Sequence, residues 1–172
     1  NKIETTILRN LISDDEYMRK VIPFLKEDYF VDSAERTIFK LTREFVEKYN
    51  KPPTTEALEV ILQENNANES LFKDSLAVIK DLSQTSDVNN EWLLDQTEKF
   101  CKDKAIYNAI LNSIGILDGK DKQHNKEAIP SLLQEALGVC FDSSVGHDYI
   151  LDAEKRFEFY HRKESKIPFD ID

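Results

Sequence analysis

The segment Gly115-Ile116-Leu117-Asp118-Gly119-Lys120-Asp121 comes closest to a catalytic motif, because it looks superficially like a phosphate-binding loop. Three residues separate its glycines where such a loop has four, and Asp121 stands where a magnesium-binding hydroxyl belongs. A glycine just past a helix end is typical of a C-cap. The pattern therefore favours a helix cap and turn, and predicts no cofactor-binding residue.

Histidine and carboxylate spacings offer little for metal chemistry. His124, His147 and His161 lie in polar segments, and the chain has no Glu-x-x-His or Cys-x-x-Cys pair. His161-x-x-Glu164 is the nearest approach to a metal site. These spacings therefore argue against a small enzyme with a carboxylate metal site, a hypothesis that metal analysis would test. We expect no catalytic and no metal-binding residue in this chain.

Aromatic side chains suggest a third chemistry, stacking on the bases of single-stranded DNA. The candidates are Trp92, Phe157, Phe159 and Tyr160. That binding mode also needs a basic groove, whereas 33 acidic against 23 basic residues give a net charge of −10. Basic residues near the last helix are offset by acidic neighbours. Protein docking is favoured over DNA contact.

The placing of apolar, glycine and proline residues predicts an all-α fold. All four glycines lie in the second half of the chain, so the first half lacks turn chemistry for hairpins of strands. We predict a compact helical head, a long antiparallel helical hairpin and a separate C-terminal linker helix. Cys101 and Cys140 fall within apolar helical patterns and are predicted to be core. No apolar run approaches a membrane span, and no signal-peptide pattern is found.

Residues 1–86 are predicted to form the head. Ser13 opens a Ser-x-x-Glu capping box, and Ser33 is expected to cap a longer helix. That helix is expected to stop at Asn50, before two prolines. Thr54 or Thr55 is expected to cap the next helix.

Residues 87–141 are predicted to form the hairpin. Nothing interrupts the chain from Asn90 to Leu117, and a returning apolar pattern runs from Ile129 to Phe141. The far end of the long helix carries an apolar stripe of Tyr107, Ile110, Leu111, Ile114 and Leu117. Two interpretations stay open: the stripe buries against a second hairpin as well as its own return arm, or it is internal core.

Residues 142–172 are predicted to be a linker and a docking helix. This helix places Ile150, Ala153, Phe157 and Tyr160 on one side, among charged residues. A single amphipathic helix beyond a finished bundle has no partner left in the chain. We expect it to dock on another domain or subunit.

These residues resemble a known family. The opening Ile3-Glu4-x-x-Ile7-Leu8-x-x-Leu11-Ile12, followed by Val21, Phe30 and Glu35-Arg36-x-Ile38-Phe39, resembles the N-terminal domain of DnaB-type replicative DNA helicases. The closing Phe141-Asp142-Ser143 and Val145-Gly146-His147-Asp148 are similar to the helicase of T-even-type bacteriophages. Cellular members commonly carry a polar stretch before this domain, whereas helical periodicity begins here at Ile3.

The resemblance implies a collar and linker that precede an ATP-dependent motor domain. The parent protein would be the enzyme, a hexameric helicase that unwinds duplex DNA at the fork, with ATP and Mg in its motor domain. In such helicases the N-terminal domains pair within the ring, the linker helix docks on the neighbouring subunit's motor domain, and primase and the helicase loader bind the collar. Single-stranded DNA passes through the ring with little contact to this part, and no membrane is involved. The expected location is the cytoplasm, that of the host if the protein is phage-encoded.

A stand-alone helical adaptor, such as a helicase loader or a primase-associated domain, is the alternative. The ending Asp170-Ile171-Asp172 favours the collar, since a natural chain rarely stops in an extended apolar stretch after a linker helix. A reading frame that continues into a phosphate-binding loop would decide between them.

Overall fold

The computed structural model describes residues 2–65 and 68–141, and within these ranges the chain is helical and contains no strand. The α-helices are α1 (Lys2–Ser13), α2 (Asp15–Val21), α3 (Ser33–Tyr49), α4 (Thr55–Glu64), α5 (Glu69–Leu82), α6 (Asn90–Leu117) and α7 (Ile129–Leu137). The all-α prediction is confirmed for this part of the chain. By its contacts the chain divides after Val139, and the fold described below is that of the residues before this point.

Helix α1 lies at the centre of the head, because it contacts α2, α3, α5 and α6. Its inner face carries Ile7, Leu8 and Leu11, none of which is more than 1% exposed. Burial of each such side chain stabilises the fold by roughly 1.5–3 kcal/mol. Helix α5 closes the other side of the head by packing on α3 and α4. The head therefore presents α1 and α2 as the platform on which α6 begins.

Helix α2 begins one residue later than the sequence predicts. Asp14 is its N-cap, and the Asp14 carboxylate accepts a hydrogen bond from the Tyr17 N–H at 3.1 Å. The Ser13 hydroxyl instead donates to the Arg9 carbonyl at 2.9 Å, within α1. The predicted capping role of Ser13 is thus wrong, because Ser13 is still helical and the neighbouring carboxylate reaches the free amide. Helix α2 then ends before Pro23, which lies in a 3-10 turn, as expected for a residue without an N–H.

Helix α3 shows the same displacement at its start. Asp32 is the N-cap, and its Oδ1 accepts from the N–H groups of Ala34 at 2.9 Å and Glu35 at 3.0 Å. Ser33 is already the first helical residue, so the prediction that it caps α3 is also wrong. One carboxylate oxygen satisfies two of the amides that a helix start leaves free.

The boundaries after α3 follow the prediction. Asn50 ends the helix in the left-handed conformation at φ 58°, and its N–H donates to the Val46 carbonyl. Thr54 rather than Thr55 caps α4, since the Thr54 hydroxyl accepts from the Ala57 N–H at 3.1 Å. This pair of caps separates α3 from α4 within a few residues.

The hairpin consists of α6 and α7. Helix α6 has the bounds that the sequence predicts, and its 28 residues give a length of about 42 Å. Helix α7 packs on it but ends at Leu137, with Gly138 at the C-cap. The prediction that the returning helix continues through Cys140 to Phe141 is wrong, because Gly138 has a low helix propensity and takes the C-cap position.

A candidate interaction surface on the helical hairpin

The near half of α6 is anchored in the head. The hydroxyls of Thr97 and Tyr17 lie 2.6 Å apart, in a buried contact between α6 and α2. Phe100 packs edge-on against Tyr29, with ring centroids 6.4 Å apart, and at 5.8 Å from the ring of Phe30. These contacts fix the direction in which α6 leaves the head.

The far half of α6 is covered by α7 along a seam of mostly small side chains. Ala109, Ser113 and Ile116 are buried on α6, and Ala136 is buried on α7. The Ser113 hydroxyl donates to the Ala109 carbonyl at 2.7 Å, so its burial leaves no unsatisfied donor. Small side chains at a helix contact bring the two axes close together. The return arm therefore holds a different face of α6 from the predicted stripe.

Five large apolar side chains on the far half of α6 stay exposed, and we name them the hairpin stripe. Their exposed fractions are 59% for Tyr107, 46% for Ile110, 48% for Leu111, 48% for Ile114 and 58% for Leu117. The interpretation of the stripe as internal core is not supported by these values. Nor does the return arm cover it, since α7 lies on the Ala109 side of the helix. A contiguous apolar patch of this kind is typical of a protein-binding surface.

The hairpin stripe continues a row that begins inside the head. Leu93, Phe100, Tyr107 and Ile114 are spaced by seven residues, so they lie on nearly one side of α6, with a drift of about 20° per step. The head buries the first two, which are 0% and 7% exposed, and does not reach the last two. The row is therefore buried where the head covers α6 and exposed farther along the helix.

Charged residues frame the two ends of the stripe. Asp103 and Lys104 precede it near the head, and Lys104 Nζ lies 5.9 Å from the centre of the Phe100 ring. Asp118 and Lys120 follow it at the tip, where both are exposed. An apolar centre with a mixed-charge border is typical of protein interfaces, whereas a surface for nucleic acid carries an excess of positive charge.

Nearly the whole chain is similar in sequence to a known protein. The chain is 32% identical, over 173 aligned residues, to the DnaB-like replicative helicase of Enterobacteria phage T4. The resemblance to the DnaB-type replicative helicases is confirmed. The alignment takes in 96% of this chain, which spans only about a third (36%) of the length of that curated relative. No protein-family model matches the chain.

The glycine-containing turn at the tip of the hairpin is a helix end. Gly115 lies within α6, and Gly119 adopts a positive φ of 77° immediately after the C-cap Asp118. The N–H of Lys120 donates to the Gly115 carbonyl at 2.9 Å, which closes the last turn of the helix. These groups are used in ending the helix, so they are not available to cradle a phosphate.

Asp121 organises the turn that follows. Its carboxylate accepts from the N–H of Gln123 at 2.8 Å and lies 3.0 Å from Nδ1 of His124. The backbone hydrogen bond from Gln123 and the contact with His124 lower the pKa of the Asp121 carboxyl. The residue in the position of a magnesium-binding hydroxyl therefore has a structural role of its own.

The histidine, cysteine and acidic side chains of the described residues form no metal site. Residues 2–65 and 68–141 contain no cluster of three or more histidine, cysteine or acidic side chains that could hold a metal ion. Cys101 is fully buried, as predicted, and burial raises the pKa of its thiol to about 12. Cys140 is half-buried rather than core. The predicted pair His161 and Glu164 lies outside the described residues.

The docking residues predicted for the linker helix, Ile150, Ala153, Phe157 and Tyr160, also lie outside the described residues. Of the aromatic residues considered for stacking on bases, Trp92 is described and is 49% exposed. The same described part contains no helix long and apolar enough to cross a membrane.

Sequence reasoning missed the true seam of the hairpin and one exposed leucine. Ala109, Ser113 and Ile116 are spaced by four and three residues, a helical repeat of small side chains that a search for large apolar residues overlooks. Leu137, which lies within the returning apolar pattern predicted from Ile129 to Phe141, is 65% exposed.

Proposed function

We propose that this chain is the N-terminal collar of a hexameric, ATP-dependent replicative DNA helicase, the part through which subunits pair and to which primase or a helicase loader docks. The similarity to the phage T4 helicase supports the parent's activity. The hairpin stripe, with five large apolar side chains 46–59% exposed, is the observation that supports a pairing role.

Contact with a second hairpin explains the exposed apolar side chains of the stripe better than permanent exposure to water. Each of its aliphatic side chains would contribute about 1 kcal/mol or more if a second hairpin covered its exposed surface. The border charges Asp103, Lys104, Asp118 and Lys120 lie where they stay hydrated at the edge of such a contact. The stripe's position beyond the head also leaves room for a second hairpin.

The motor activity is assigned to the remainder of the parent protein. The tip turn uses its backbone groups to end α6, which supports placing nucleotide binding elsewhere in the parent protein. ATP and Mg would be held by the motor domain. The linker residues Ile150, Ala153, Phe157 and Tyr160 would dock in a groove of the neighbouring subunit's motor domain.

Nucleic acid is a partner of the ring rather than of the collar. The net charge of −10 opposes binding to a phosphate backbone, so single-stranded DNA would pass with little contact to this chain. The ring would work in the cytoplasm, that of the host for a phage protein, and would not involve a membrane.

A dominant-negative inhibition experiment tests this function. The isolated chain, added in excess to the full-length helicase from the same source during ring assembly, should reduce ATP-dependent unwinding of a forked duplex. The variant Leu111→Glu, in the stripe, should lose this effect, whereas Leu137→Glu, an exposed leucine on the return arm, should keep it. The proposal is contradicted if the isolated chain leaves unwinding unchanged, or if Leu111→Glu inhibits unwinding as strongly as the unsubstituted chain. Either outcome favours the stand-alone adaptor.

A further inference from the structure

Two glutamates lie in the core of the head, where charged side chains are rare. Glu4 on α1 is 2% exposed, and Glu35 on α3 is 5% exposed. An ionised carboxylate inside a protein is strongly destabilised unless hydrogen bonds or opposite charges compensate it. The contacts of each oxygen therefore decide which glutamate can keep a charge.

The two carboxyl groups are satisfied to different degrees. Glu4 Oε1 accepts a hydrogen bond from the Val31 N–H at 3.0 Å. Glu35 Oε1 accepts one from the Thr5 hydroxyl at 2.7 Å, but Glu35 Oε2 is buried without a hydrogen-bond partner. A negative charge shared with an unpartnered, buried oxygen is costly, and a proton on that oxygen removes the charge.

We infer that the contact between α1 and α3 is a proton-linked latch, in which Glu35 is held as the neutral acid while α1 lies on α3. The Oε2–H bond breaks when α1 separates, the proton passes to water, and the carboxylate that remains is hydrated. This inference concerns the head alone and does not depend on the proposed function.

The groups around Glu35 have opposing effects on its pKa, of which burial is the largest. Burial raises the pKa of the Glu35 carboxyl, the Thr5 hydroxyl opposes this, and the nearby carboxylates of Glu4 and Asp32 add to it. A folded-state pKa above the unfolded value means that Glu35 stabilises the head fully below the unfolded value of about 4.3. That contribution is lost as the pH rises through the folded-state value.

The pH dependence of thermal unfolding of this chain tests the latch. Glu35→Gln keeps the shape of the neutral acid and cannot ionise, so its midpoint should match the parent's below the unfolded pKa of about 4.3 and should exceed the parent's at pH 8. Glu44→Gln, on the exposed side of the same helix, is the control and should follow the parent. A difference between Glu35→Gln and the parent that stays constant with pH overturns the inference.

A direct titration keeps the test independent of folding defects in a variant. Carbon-13 NMR of the glutamate carboxyl groups in the folded parent chain should show Glu35 titrating above the value of about 4.3 that is usual for glutamate. A midpoint for Glu35 at or below that value overturns the latch.

Discussion

The Tyr17 hydroxyl donates a buried hydrogen bond to the Thr97 hydroxyl, 2.6 Å away, and so ties α2 to α6. The direction of the bond follows from Thr97, whose single hydroxyl hydrogen is already given to the Leu93 carbonyl at 2.7 Å. Burial raises the pKa of the Tyr17 hydroxyl, which keeps its proton available. The bond lies where the hairpin helix leaves the head.

Loss of this bond should lower the free energy of unfolding by an amount that depends on which partner is removed. Tyr17→Phe should cost about 1 kcal/mol, because it removes a donor and leaves Thr97 with its bond to Leu93. Thr97→Val should cost more, roughly 1–3 kcal/mol, since the Tyr17 hydroxyl is then buried without an acceptor. Urea unfolding followed by circular dichroism measures both values.

Tyr49→Phe is the control for these variants, because Tyr49 is 56% exposed and its loss of a hydroxyl should change stability little. An effect of Thr97→Val smaller than that of Tyr17→Phe would show that the bond does not have the direction given above.

The cap of α3 offers a second matched pair. Asp32→Ala should reduce the free energy of unfolding by about 1 kcal/mol, because two N–H groups at the start of α3 lose their acceptor. Ser33→Ala should have almost no effect, since Ser33 is a helical residue rather than the cap. Thermal unfolding of the two variants decides between them, and a larger loss for Ser33→Ala would restore the cap expected from the sequence.

Cys101 should be unreactive in the folded chain. Its thiol is 0% exposed, and burial raises its pKa to about 12, so little thiolate exists at pH 8. In a Cys140→Ser background, a thiol reagent should label no cysteine in native buffer and one cysteine in denaturant. Rapid labelling of the native chain would mean that the near half of α6 opens from the head.

Alkaline pH should lower the stability of the head, because burial raises the pKa of the Cys101 thiol and of a tyrosine hydroxyl. Cys101 and Tyr29 both have a folded-state pKa raised to about 12 by burial. Groups of this kind stabilise the fold below their unfolded values, about 8.5 for cysteine and about 10 for tyrosine, and lose that contribution as the pH rises towards 12. The urea midpoint should therefore fall between pH 9 and pH 11, and Cys101→Ala should make the fall less steep. An unchanged slope in this variant would argue against a role for the thiol.

The helices were predictable from the sequence where apolar residues recur at helical spacing without interruption. The bounds of α6 are an example, since no glycine or proline breaks the chain between Asn90 and Gly115. The helix starts were less predictable where two capping residues are adjacent. Ser13 stands beside Asp14 and Ser33 beside Asp32, and only the backbone geometry decides which side chain reaches the free amides.

The exposure of the hairpin stripe was less predictable from the sequence. Periodicity identified the residues of the hairpin stripe but not which side of α6 would be covered. The covered side of α6 changes from that of Phe100, under the head, to that of Ala109 and Ser113, under α7. This change depends on contacts between distant elements, which a local pattern does not contain.

Pairing of two copies of this chain through the hairpin stripe can be measured as the mass in solution, by light scattering across a concentration series. The parent chain should pass from monomer to dimer, and Leu111→Glu should weaken the dimer at least about 10-fold with unchanged helicity by circular dichroism. Leu137→Glu, the same change at an exposed leucine outside the stripe, should pair like the parent. Pairing through the stripe is contradicted if the parent chain is monomeric at every concentration. It is also contradicted if Leu137→Glu dissociates as readily as Leu111→Glu.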